Sequence, residues 1–108
     1  MRSGAAARLL ALAEPLLARC STWTARSWGH RSAGGTRADV AFAAVGQLAD
    51  LAADAEGQER RPVPRLTDDG ALVDQLAVMV YDVARTDDER ACLHATEIIT
   101  QLEHALTG

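Results

Sequence analysis

The sequence predicts an all-α protein, an up-down four-helix bundle with a first helix kinked at Pro15, and three observations carry that expectation. Ala and Leu, both strong helix formers, fill most apolar positions, while strand-favouring Tyr, Phe and Ile are scarce. Apolar residues recur at spacings of three and four, and no convincing run alternates apolar with polar. Capping residues and glycines stand where those periodic stretches begin and end. The 108 residues read as a single helical domain, 1–108, with helices at about 4–28, 37–56, 68–85 and 87–106. A chain of this length buries roughly 65% of its unfolded surface, enough for a core without disulfides or metal.

The first helix carries Leu9, Leu12, Leu16, Cys20 and Trp23 on one face. Pro15 lies within that stripe and predicts a kink, or a break into two pieces with Ser21 or Thr22 capping the second. His30 to Gly35 reads as a polar, glycine-rich loop. Thr36 and Asp39 then form a variant of the capping box, with Asp in the place of Glu, and Gly57 closes the second helix as a left-handed cap. This helix has a main stripe of Val40, Ala44, Leu48, Leu51 and Ala55. It also has a second apolar face of Phe42, Gly46, Ala49 and Ala53, so it is expected to be covered on several sides.

Pro62-Val63-Pro64 forbids helix and marks a linker. Thr67, Asp68 or Asp69 is expected to cap the third helix, whose core stripe is Leu72, Val73, Leu76, Ala77, Val80, Val83 and Ala84. Val78 and Tyr81 fall outside that stripe. Thr86 and Glu89 form a T-x-x-E capping box that predicts the start of the fourth helix. Its core face is Cys92, Ala95, Ile99, Leu102 and Leu106. The short connection predicts that the third and fourth helices are antiparallel neighbours, or a bent pair.

No motif in the chain carries chemistry. His94, Glu97, Gln101 and His104 share a helical face opposite the core stripe and read as solvated, so no metal, cofactor or catalytic residue is predicted. The acids Asp87, Asp88 and Glu89 lack the alternation and glycine of a calcium loop and fit the electrostatics of a helix start. Gly34-Gly35-Thr36 before a helix is a weak anion motif without the lysine or preceding strand of a phosphate loop. Cys20 and Cys92 read as buried small hydrophobes of a reducing compartment, with a disulfide between the first and last helices as the alternative.

Charge is divided unevenly. Residues 1–38 hold six arginines against Glu14, and residues 39–108 hold five arginines against fourteen acids, for a net charge of −4. Arg8, Arg19 and Arg26 lie along one flank of a continuous first helix and are the candidate anion contacts. The overall acidity argues against a nucleic-acid partner. All basic charge is Arg, which with the abundance of Ala and Gly suggests a bacterial origin. The N-terminal stretch faintly resembles a signal or transit peptide, but Glu14 and Pro15 interrupt its apolar run. No stretch approaches the 18 or more apolar residues of a membrane span, and the expectation is a cytoplasmic protein.

The functional expectation is a non-catalytic helical module that binds protein, either a second copy as a homodimer or another chain. Phe42, Gly46, Ala49, Ala53, Val78 and Tyr81 are its candidate surface. The alternative is a small helical enzyme or ligand binder with an Arg-lined anion pocket at a dimer seam.

Overall fold

Ser3 opens the first helix by accepting the backbone N–H of Ala6 on its hydroxyl, in a computed structural model that describes residues 3–107. The elements are α1 (Gly4–Cys20), α2 (Ala25–Trp28), β1 (Arg31–Ser32), β2 (Gly35–Thr36), α3 (Arg37–Ala55), α4 (Ala71–Thr86) and α5 (Glu89–Thr107). The fold is predominantly α-helical, and β1 and β2 form a minimal antiparallel hairpin. No helix among the described residues is long and apolar enough to cross a membrane.

α1 contains Pro15 without being ended by it, and stops at Cys20 rather than Trp28. The Ser21 and Thr22 hydroxyls donate to the carbonyls of Ala18 and Arg19 and satisfy groups that a longer helix would have used. Thr24 then caps the one-turn α2. The predicted polar loop at 30–35 becomes the hairpin, turned at Ala33-Gly34 with Gly34 at φ +94° and Gly35 at φ +128°. A side chain at Gly35 would also collide with Asp39, since a Cβ there would lie 2.7 Å from its Oδ2.

Thr36 and Asp39 form the expected reciprocal box: the Asp39 N–H donates to Thr36 Oγ1 at 3.0 Å and the Thr36 N–H to Asp39 Oδ2 at 3.1 Å. At the far end of α3, Gly57 takes the left-handed conformation at φ +67°. The start of α4 is displaced to Ala71, because the Asp68 carboxylate accepts the N–H of Gly70 in a tight turn and caps no helix.

The junction of α4 and α5 departs from the predicted capping box. Asp87 adopts a left-handed conformation (φ +53°), so the chain turns one residue beyond Thr86. Thr86 remains inside α4, donating its hydroxyl to the Val83 carbonyl at 2.7 Å. Asp88 caps α5 instead, its carboxylate accepting the N–H of Ala91 at 2.9 Å.

The segment between α3 and α4 sets the directions of the helices. Arg60 pairs with Asp50 and Asp54 near the end of α3, and Arg65 pairs with Asp39 at its beginning. The chain therefore retraces α3 before α4 starts, and α3 and α4 run the same way. α5 runs against α3, since Val40 faces Ala105 and Leu102 while Gln47 faces His94. The N–H of Ser3 donates to Asp87 at 2.6 Å, which places the start of α1 at the α4–α5 turn and makes α1 parallel to α5. The alternating directions expected of an up-down order are therefore replaced by two parallel and two antiparallel neighbours. α1 and α3 each pack on both α4 and α5, so α4 and α5 occupy opposite corners despite their short connection. The two helices are antiparallel, as expected, but they pack less on each other than either does on α1 and α3.

Leu9, Leu16, Val45, Leu48, Leu76, Val80, Ile99 and Leu106 meet in the centre. The segment 21–36 closes one end of the helices as an aromatic plug. Trp28 is 1% exposed and meets Trp23 edge to face at 4.8 Å, and the Arg37 guanidinium covers Trp23. The Ser32 hydroxyl ties the hairpin to the Ala105 carbonyl at 2.8 Å.

Two outcomes follow for thermal or denaturant unfolding. Asp88→Ala lowers stability by about 0.5–2 kcal/mol while Glu89→Ala does not share the loss, the reverse of what a Thr86–Glu89 box demands. Trp28→Ala costs about 3–5 kcal/mol by leaving a cavity in the plug.

Candidate functional site

α4 is amphipathic with an exception on its outer side. Leu72, Leu76, Val80 and Val83 turn into the core, and Asp74, Val78, Tyr81 and Arg85 fall on the opposite face at spacings of four, three and four. A solvated face at those positions would ordinarily be polar throughout. Here its two central residues are apolar, and both are 52% exposed. Arg85 pairs with Asp82 one turn back, yet its side chain stays 75% exposed. Beside this face lies an open groove of about 320 Å³ between α1 and α4, whose lining includes Leu10, Leu17, Ala77 and Tyr81. Leu66 and Leu93 are also exposed, but they stand apart on the linker and on α5. Val78 and Tyr81, read from the sequence as lying outside the core stripe, are thus brought together on one solvent-facing turn.

The other four predicted surface residues have a different setting. Phe42, Gly46, Ala49 and Ala53 are half-buried, and the linker lies beside Phe42, Ala49 and Ala53, whereas a Cβ at Gly46 would meet open space. The Arg65 guanidinium sits 5.1 Å from the centre of the Phe42 ring. Ala49 and Ala53 floor an open groove of about 680 Å³ walled by Pro62, Val63, Pro64 and Met79. Its rim carries Glu56, Glu59 and Asp82 against Arg61, a predominantly acidic edge. The extended linker therefore covers Phe42, Ala49 and Ala53 of this face and leaves Gly46 open, an arrangement that a helix-by-helix reading of periodicity does not detect.

The structure does not gather Arg8, Arg19 and Arg26 into a pocket. Arg8 and Arg19 are exposed on α1 and Arg26 on the separate α2, and none makes an ion pair among the described residues. At the glycine-rich turn, the Thr36 N–H donates to the Asp39 carboxylate and the Asp39 N–H to the Thr36 hydroxyl, so a carboxylate of the chain itself already sits at the start of α3. His94, Glu97, Gln101 and His104 are all exposed, and no three potential metal ligands converge among the described residues.

Both thiols are buried and unpaired with each other. Burial pushes the Cys20 thiol up to about 11, against the opposing influence of Arg19 and Arg37. Burial also raises Cys92, helped by Asp87 and Asp88, and its Sγ lies 3.7 Å from the Val83 carbonyl. Neither is a thiolate at neutral pH, so neither has the character of a nucleophile. Among the described residues, no residue that is polar or charged overall is buried. No family model, curated protein or solved structure matches the chain.

The electrostatics of the linker lead to a pH dependence. The Thr36 N–H, then the Arg65 guanidinium, hold the Asp39 carboxyl below its ordinary value, and Arg60 does the same for Asp54. A carboxylate favoured in the folded state contributes stability above its unfolded pKa and loses it as pH falls through the lowered folded value. The melting temperature should therefore decline below about pH 4, and less steeply in Asp39→Asn. An unchanged slope in that variant would remove Asp39 from the account.

Proposed function

We propose that this chain is a non-catalytic helical protein-binding module, with its four long helices as a bundle bent at Pro15 and the outer face of α4 as its contact surface. The observation that carries the reading is the placement of Val78 and Tyr81, two large apolar side chains half in water at the middle of one helix face. Such residues contribute little to the fold they sit on, and exposed apolar patches with aromatic side chains are characteristic of interaction surfaces. The buried thiols, unpaired with each other, support a chain living in a reducing compartment such as a bacterial cytoplasm. An Arg-lined anion pocket has less support, because Arg8, Arg19 and Arg26 do not converge.

The test separates binding from folding. Tyr81→Ser and Val78→Ser should shift folding stability by no more than about 0.5 kcal/mol, as surface substitutions do. A photo-crosslinking residue at position 81, expressed in cells, should yield a covalent protein adduct, and the same residue at the exposed position 97 should not. Absence of any adduct at position 81 removes the basis for the proposal.

A further inference from the structure

We infer that the partner is a second copy of this chain, docked through α4 packed antiparallel on the partner's α4 across a two-fold axis between Met79 and Val80. The inference rests on the reading of the α4 face as a contact surface and comes from the charge pattern around it.

Asp74, Val78, Tyr81 and Arg85 are disposed symmetrically about the midpoint of 79 and 80. Asp74 and Arg85 each lie 5.5 residues from that point, on opposite sides, and Val78 and Tyr81 each lie 1.5 residues from it. At 1.5 Å of rise per residue the two charges stand about 8 Å on either side of the centre. A two-fold axis through that centre, perpendicular to the helix, superposes the two ends. Each Asp74 then meets the partner's Arg85, and each Val78 meets the partner's Tyr81. All four residues lie within one narrow arc of the helix, so a single approach satisfies both contacts.

A parallel pairing would place Asp74 against Asp74 and Arg85 against Arg85, so the charges also select the direction. Arg85 need not release Asp82 to take part, since a guanidinium has five N–H donors and this side chain is largely exposed. Closed two-fold pairing through one self-complementary patch is the commonest way in which soluble chains associate. A contact dominated by one helix from each copy is at the small end of specific interfaces, so the dimer is weak and concentration-dependent.

Sedimentation equilibrium over roughly 1 μM to 1 mM tests the pairing. The chain should pass from its 11.5 kDa monomer toward twice that mass. Tyr81→Ser should abolish the shift with helix content unchanged. Asp74→Arg alone and Arg85→Asp alone each oppose like charges across the axis, and each should be monomeric. An equimolar mixture of those two variants restores both attractions and should form a heterodimer, as should the doubly exchanged chain with itself. A wild-type chain monomeric throughout overturns the second-copy partner. If position 81 then still crosslinks to a different protein, the binding-module reading survives, and if it crosslinks to nothing, both fall. A dimer that persists in Tyr81→Ser, or a variant mixture that stays monomeric, overturns this interface.

Discussion

The chain between α3 and α4 is stitched back along α3, and most of the architecture depends on that constraint. Arg60 bonds Asp54 through two nitrogens, at 3.0 and 2.7 Å, and Arg65 reaches Asp39 at 3.2 Å. Between them Pro62 and Pro64 exclude a helical path, so the segment stays extended and spans the length of α3 in few residues. Exposed ion pairs of this kind contribute about 0–1 kcal/mol each, so they select the route more than they hold the fold together. The selection is consequential. It sets α4 parallel to α3, puts α5 on the opposite corner, and spreads a polar strap over apolar surface that would otherwise face water. Gln75 adds a further tie from α4, donating to the Pro64 carbonyl at 3.0 Å.

Features decided within one turn of helix were legible in the sequence, and features decided by long-range routing were not. The Thr36–Asp39 box and the left-handed Gly57 depend on residues that touch their own neighbours, so their types suffice to predict them. The periodicity of Leu72, Leu76, Val80 and Val83 identified a core face, and with it the exclusion of Val78 and Tyr81. Periodicity failed at Trp23, which continues the α1 stripe in spacing but lies between α1 and α2, because side-chain hydroxyls at Ser21 and Thr22 compete for the helix carbonyls. The Thr86–Glu89 motif had the right residues in the wrong register, since a left-handed Asp87 moves the cap two positions on. The cover on Phe42 and Ala49 could not be read at all, as it is made by a segment with no periodicity of its own.

The surfaces of the molecule differ in how much they ask of a partner. The α1 and α2 arginines are scattered and solvated, and the α5 face with His94 and His104 is polar throughout. The groove under the linker is apolar at its floor but rimmed by acids, and its walls already belong to the chain. Among the described residues, α4 alone presents apolar side chains at its centre with one charge of each sign at equal distance on either side. That distribution is a property of one helix, independent of how the rest of the fold is routed.

The aromatic residues are also partitioned, and this has a spectroscopic consequence. Both tryptophans lie in the plug at one end of the molecule, with Trp28 sealed from water and Trp23 stacked beneath Arg37. The single tyrosine stands on the outer face of α4. Indole emission therefore reports the opening of the end plug and is insensitive to events on α4, whereas phenol absorbance reports the α4 surface. The native chromophores alone can thus distinguish unfolding from surface burial, without a label on either.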